Sequence, residues 1–472
     1  MTKTKRIGFI AMSGVRANNP EVAKAGLTFP GVLERGRVIA SLPSLSLLTL
    51  AGLTPASEFD VEYHEVRHLT EGLHLPQHFD LVAISTLSAQ AFDAYNIARR
   101  FRDSGVPVIM GGLHVTACPD EALQHCTSVV IGEGEPLWPR VLEDFCANRL
   151  QPRYQAGEEE EFDFTDAPMP RFDLLDIRKY NRLTVQTCRG CPHDCEFCAS
   201  SIMLTKRYKR KPVAKIIDEI RAIKSIWPKP FIEFADDNSF VHRGHARELL
   251  AAMQHESVQW FTEADVSIAN DPDLLTLMRR SGCRQVLIGL ESPRSGGLDG
   301  LERRANWKLQ QFDKYEWAIN TIQAHGITVN ACFILGLDAD GEDVFDNVHE
   351  FVQRTNPYDV QITVLTPFPG TPLYARLLKA GRIINPGDWN TCTLFDVNFI
   401  PARMSPERLQ WGLIDLAARL YHPDAVRARR ENFFAQLDRR RIRSAMPAPW
   451  PEQAPGTPDL PEQRDQTGAF AA

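Results

Sequence analysis

The sequence predicts an α/β protein in which a doubly wound parallel sheet is followed by a partial (β/α)6 barrel and a helical C-terminal extension. Two patterns predict it. Short apolar runs alternate with amphipathic stretches through the first 150 residues, and the alternation resumes from about 181. Between the two series, EEEEFDFTDAPMPRFDLL (158–175) is acidic and proline-bearing, which is the composition of a linker. The expected divisions are a sheet domain over 1–150, a linker over 151–180, a barrel over 181–385, a helical region over 386–443 and a proline-rich, disordered tail over 444–472.

In the first series the expected strands are 6–12, 61–66, 81–86, 107–112 and 128–133, with AFDAYNIARRFRDSG (91–105) as an amphipathic helix. Short apolar strands joined by helices form a parallel sheet covered on both faces. Such sheets bind ligands at the carboxyl ends of their strands, near the switch point. Those ends read STLSAQ (85–90), GGLH (111–114) and GEGE (132–135), small or glycine-rich, so that backbone can approach a bulky ligand.

The second series has six expected strands, at 183–186, 230–235, 259–266, 285–291, 329–336 and 359–366. PVAKIIDEIRAIKSI (212–226) gathers Val213, Ile216, Ile217, Ile220 and Ile223 on one helix face. PDLLTLMRRSG (272–282) and FDKYEWAINTIQAHG (312–326) both stop at glycine. Six units are too few to close an eight-stranded barrel, so a gap is left for a large substrate or a neighbouring domain. SPERLQWGLIDLAARLY (405–421) begins the helical extension.

A hydrophobic content of 43% and a charged content of 24% are ordinary for a soluble protein, and a net charge of −7 argues against a nucleic-acid partner. VIASLPSLSLLTLAGLTPAS (38–57) is uncharged and about as long as a membrane span. Its prolines and hydroxyls make it read instead as a buried helix. MTKTKRIGFIAM has no export-signal pattern, and clustered cysteines without one read as reduced, metal-binding and cytoplasmic.

TCRGCPHDCEFCAS (187–200) holds four of the ten cysteines. As a closed array, Cys188, Cys191, Cys195 and Cys198 would hold zinc, but zinc knuckles usually separate their two pairs by about a dozen residues. As an open array, Cys191, Cys195 and Cys198 wrap three irons of a 4Fe–4S cluster and leave the fourth iron to a small molecule. Cys188 is then left over, either as a small buried neighbour or as a catalytic thiol that reaches the substrate or the cluster. A fully ligated redox sensor or electron carrier is the reading from a different class.

RGCPHDCEFC, with Phe197 before the last cysteine, resembles the cluster loop of radical S-adenosylmethionine (SAM) enzymes. The preceding domain resembles the cobalamin-binding, Rossmann-like module carried by a large class of them, and the resemblance runs from about Arg6 to Tyr374, with PMPRFDLLD before the barrel. It implies that the open iron chelates the amino and carboxylate groups of SAM, and that one electron releases a 5′-deoxyadenosyl radical. It implies SAM contacts at Phe197, at Asp236, Asp237 and Asn238 of FADDNSF (234–240), and at Glu291 of IGLES (288–292). LTPFPGTPLY (365–374) resembles the segment that closes the barrel. An external electron donor such as flavodoxin or ferredoxin is implied as a partner.

Enzymes that place a histidine beneath cobalt carry DxHxxG after the first strand; here GFIAMSGVRANN (8–19) has none, and neither His64 nor His114 replaces it. The resemblance allows cobalamin without that ligand, lying along Ser85, Thr86, Leu87, Ser88, Gly111, Gly112, His114, Gly132, Glu133 and Gly134. The leading expectation is methyl transfer to an unactivated carbon or a phosphinate-type centre. The alternative within the family is a ring-forming, rearranging or oxidising enzyme in which cobalamin donates no methyl or is absent.

Overall fold

The computed structural model describes residues 4–14, 17–24, 42–66, 72, 74–157, 162–200 and 207–439. The tail expected over 444–472 lies outside them. Strands β1 (Lys5–Met12), β2 (Phe59–Val66), β3 (Leu81–Ser85), β4 (Val108–Gly111), β5 (Ser128–Ile131) and β6 (Arg153–Gln155) form a parallel sheet in the order β2-β1-β3-β4-β5-β6. The order reverses between β1 and β3, so the switch point lies between their carboxyl ends, with those of β4 and β5 following on the β3 side. Strand β6 falls at the start of the stretch expected as linker. Only Tyr154 of its three residues is buried, too short a signal for alternation to reveal.

The uncharged stretch contains the helix Leu45–Leu53, which begins where Ser44 Oγ accepts the Leu47 N–H. Leu47 and Ala51 belong to the core of the first sheet and Leu48 to that of the barrel. A helix buried on opposite sides needs apolar residues all round. The linker presses on it closely: a Cβ on Gly52 would lie 2.2 Å from the Met169 carbonyl oxygen. Among the described residues no helix is long and apolar enough to cross a membrane.

After the linker come β7 (Leu183–Val185) and a two-stranded antiparallel ribbon, β8 (Cys188–Arg189) with β9 (Lys209–Arg210). Then β10 (Phe231–Phe234), β11 (Gln259–Ala264), β12 (Cys283–Glu291), β13 (Thr328–Leu335) and β14 (Asp359–Val364) join β7 in an open parallel sheet, ordered β14-β13-β12-β11-β10-β7. Alternation sets its two faces. Val286, Ile288, Leu290, Val329, Ala331, Phe333, Val360 and Ile362 are buried in the core. Gln285, Leu287, Gly289, Asn330, Cys332, Gln361 and Thr363 occupy the opposite face and line the lumen.

The C-terminal extension includes the helices Pro406–Leu420 and Pro423–Arg439. Before them the chain returns to the first sheet. Trp389 and Cys392 enter its core, and Asp396 accepts the backbone N–H groups of Asn18 and Asn19, each at 2.7 Å. These contacts tie the loop after β1 to the end of the barrel.

Candidate functional site

The loop of Cys191, Cys195 and Cys198 follows β7 at the mouth of the barrel and is clamped from three elements. After β10, Asp236 accepts the N–H groups of Thr187 (2.7 Å) and Cys188 (3.0 Å) and the hydroxyl of Ser239 (2.8 Å), while Asp237 accepts the Gly190 N–H at 2.8 Å. After β12, Glu302 accepts N–H groups from Ala305, Asp194, Arg304 and Trp307. Burial raises its carboxyl, but these bonds outweigh burial and hold it down at about 2. After β14, the Leu373 N–H reaches the Glu196 carbonyl oxygen at 3.0 Å, and Arg376 forks onto the Glu196 carboxylate at 2.6 and 3.0 Å.

This geometry gives FADDNSF a structural part in the loop. Asp236 is buried and saturated by protein donors, Asp237 is engaged with Gly190, and Asn238 donates to Asp265 at 2.8 Å. The Asp236 and Asp237 side chains hold the cysteine loop, and the Asn238 side chain is held by Asp265. The local sequence could not reveal this, because the donors lie nearly fifty residues earlier. Phe197 packs half-buried against the barrel core.

Cys188 takes no part in a closed array. It is fully buried, and its thiol lies 3.5 Å from the Asn238 carbonyl oxygen. Three thiols on one loop, with Cys188 buried apart against Asn238, suit a 4Fe–4S cluster with one iron free. Burial pushes the thiols up, Cys191 to about 11 and Cys195 to about 12. Metal binding must therefore displace their protons. Cys188→Ser, whose hydroxyl can donate to the same carbonyl, is expected to leave iron content unchanged after anaerobic reconstitution. Loss of iron in that assay would return Cys188 to the cluster.

Glu291 ends β12 in the left-handed region, at φ 64°. It is paired: Lys308 Nζ lies 2.7 Å from its Oε1 and 3.0 Å from the Gly289 carbonyl oxygen. Burial alone would lower the Lys308 ammonium, but Glu291 and neighbouring Cys195 raise it. A fixed cation thus sits beside the cysteine loop. Glu291, the residue expected to meet SAM, is engaged on Oε1 by Lys308.

Among the described residues no cation pairs with Glu263 in this way. It faces the lumen, where solvent reaches it but protein surrounds it. Burial, reinforced by Glu233, Asp237 and Glu291, raises its carboxyl to about 8. Alternation along QWFTEA could have singled it out as a charge on the lumen face. The folded chain holds this proton to higher pH than the unfolded chain, which releases it near the ordinary 4.5, and the solvent that reaches Glu263 screens part of the difference. More protons are bound folded than unfolded between the two pKa values, so stability falls as pH rises through that window. Urea unfolding of the cofactor-free Glu263→Gln variant is expected to show a shallower decline than the parent.

At the first sheet, the expected ligand residues do converge on the adjacent ends of β3, β4 and β5. Gly112 has φ 103°, and a Cβ there would lie 2.8 Å from the Thr86 carbonyl oxygen, so only glycine lets these ends meet. Gly132 borders open space, and Leu87 is 42% exposed, leaving an apolar side chain and bare backbone toward a ligand. That cradle fits a corrin better than a charged ligand. Thr86, Ser88 and His114 turn inward. His114 is fully buried, with Nδ1 at 3.1 Å from Ser88 Oγ and Nε2 at 2.9 Å from Tyr95 Oη. Its ring packs against Trp389, so it shapes the cradle from behind. Glu133 is drawn away into ion pairs with Arg189 and Lys209. His64, on β2, lies 3.1 Å from Glu62.

A three-cysteine loop at an open barrel, ion-paired with the glycine-rich ends of the first sheet, is the arrangement of an iron–sulfur protein with a second cofactor domain. Three family models match: the radical SAM superfamily over 185–352, a B12 binding domain over 37–142, and a domain of unknown function over 371–457. The chain thus carries a radical SAM domain and a B12-binding domain, and these take a 4Fe–4S cluster, SAM and cobalamin as cofactors. It is 29% identical to bacteriochlorophyllide d C-12(1)-methyltransferase of Chlorobaculum tepidum, covering 84% of this chain and 86% of that one. It is 26% identical to hopanoid C-2 methylase of Rhodopseudomonas palustris, covering 87% and 77%. Its fold matches the cobalamin-dependent SAM radical enzyme OxsB with a TM-score of 0.65 at 16% identity, covering 94% and 72% of the two chains. It also matches the radical SAM methyltransferase TsrM of Kitasatospora setae, at 0.59 and 14% identity over 80% and 78%.

Proposed function

We propose that this chain is a cobalamin-dependent radical SAM methyltransferase acting on an unactivated carbon or a phosphinate-type centre. One observation carries the reading above others: a B12-binding sheet is fused to the three-cysteine loop and ion-paired with its base. Cys191, Cys195 and Cys198 hold the cluster and leave one iron for SAM. When bound, the three groups supply an electron, a 5′-deoxyadenosyl radical and a methyl group.

The chain's own residues position and insulate. Asp236, Asp237, Glu302 and Arg376 keep the loop from shifting, and Lys308 balances the negative charge of the thiolates. Leu87, Gly111, Gly112, Gly132 and Gly134 present apolar surface and backbone to the corrin. An external donor of the flavodoxin or ferredoxin kind supplies the electron, in the cytoplasm.

Relatives named as methyltransferases support methyl transfer. A second reading, ring formation, draws support from 23% identity to an anaerobic magnesium-protoporphyrin IX monomethyl ester cyclase of Rubrivivax gelatinosus, over 65% of this chain and 58% of that one. Anaerobic turnover with methyl-labelled SAM separates the two, with bacteriochlorophyllide d and hopanoids as the first substrates offered. Methyl transfer is expected to yield S-adenosylhomocysteine and a labelled product. Formation of 5′-deoxyadenosine without S-adenosylhomocysteine would favour ring formation.

A further inference from the structure

We infer that Arg189 is a positioning residue that fixes the distance between the two cofactor domains. Its guanidinium forks across the boundary: Nη1 lies 2.7 Å from Glu133 Oε1, and Nη2 lies 2.7 Å from Glu135 Oε1. Nη2 also donates to Gln186 Oε1 at 2.9 Å, holding the fork on its own side. Lys209 is the register partner of Arg189 in the β8–β9 ribbon and reaches Glu133 Oε2 at 2.7 Å. Phe164 of the linker covers the guanidinium, with its ring centre 4.7 Å away. The four charged side chains retain 15% (Arg189), 10% (Glu133), 9% (Glu135) and 11% (Lys209) of their surface.

The placement gives the cluster its meaning. Arg189 lies two residues before Cys191. Glu133 lies between Gly132 and Gly134, at the end of β5 where the cradle opens. One side chain therefore spans the base of the cysteine loop and the rim of the corrin cradle. Two cations meet two anions across the boundary, and Asp163 of the linker acts on Lys209 as well. Buried ion pairs are poor sources of net stability, because desolvation offsets attraction, but they are selective for one geometry. A planar fork meeting two carboxylates is more selective still, and lysine cannot reproduce it.

The test uses the full chain. Hydrogen–deuterium exchange of the cofactor-free protein reads the lock itself. Arg189→Gln is expected to speed exchange across 132–136 and 187–190 by about 10-fold or more, with β11 to β13 unchanged. Arg189→Lys should fall between parent and Gln, and Glu135→Gln, the milder change, covers the case in which Arg189→Gln does not fold. Unaltered exchange in these segments would overturn the inference. The positioning role rests on the corrin reading above and is measured separately, by pulsed dipolar EPR between cob(II)alamin and the reduced cluster. A single narrow separation is expected in the parent, a broad distribution in Arg189→Gln and a partial return in Arg189→Lys. Identical distributions in all three would overturn the positioning role. A chain that takes up no cobalamin would instead overturn the proposed function, with the exchange experiment still deciding the lock.

Discussion

Alanine at Cys191, Cys195 or Cys198 is expected to empty the cluster site. Bound iron should fall from about four atoms per chain to below about one after anaerobic reconstitution, because a loop with two thiolates cannot hold three irons. Reductive cleavage of SAM should fall by at least about 1,000-fold, since the cluster is the group that holds SAM and passes the electron to it. The fold should persist. The loop is held by Asp236, Glu302 and Arg376 through main-chain and carboxylate contacts that need none of the three thiols. The decisive measurement pairs an iron and sulfide assay with circular dichroism. Retained iron in any one variant would remove that residue from the ligand set, and Cys188 would be the first replacement to examine.

The legible parts of this chain are those whose signal is local. The barrel strands announce themselves because every second residue must be apolar: Val286, Ile288 and Leu290 alternate with Gln285, Leu287 and Gly289 along β12. The cysteine loop is legible because its three ligands come from eight consecutive residues. The glycine-rich ends of β4 and β5 are legible because Gly112 and Gly132 need positive φ. What escaped is non-local. Asp236 reads as an exposed acid at a strand end, and only the fold brings Thr187 and Cys188 to it. Glu133 reads as a ligand contact, and only the domain packing delivers Arg189 and Lys209. Lys308 had no visible role until the chain reversal after β12 set it on Glu291. The uncharged helix was ambiguous for the same reason, since two cores, not a membrane, surround it.

The role of Asp236 can be decided by two substitutions with opposite expectations. Its carboxylate receives two backbone N–H groups on Oδ1, and the Thr187 and Ser239 hydroxyls on Oδ2. Asp236→Ala removes all four acceptor contacts from a buried site. Each orphaned donor costs about 1–3 kcal/mol, less for hydroxyls that can rotate to new partners, so a total loss of about 3–5 kcal/mol is expected. The loop base would then be free to move, and cluster occupancy should fall with it. Asp236→Asn is different. Its Oδ1 can still take both N–H groups, and its Nδ2 can donate to hydroxyl oxygens that reverse their roles. The burial that raises the Asp236 carboxyl also favours a neutral group there. A loss of only about 1–2 kcal/mol and near-parental iron content follow. A residue that met the SAM ammonium directly would behave in the reverse way, with Asn intact in stability but weakened in SAM affinity, because an amide cannot replace a charge. Urea unfolding, iron content and equilibrium dialysis of SAM on the same two variants separate a clamp from a ligand contact, and the clamp requires that SAM affinity per bound cluster be the same in Asn and parent.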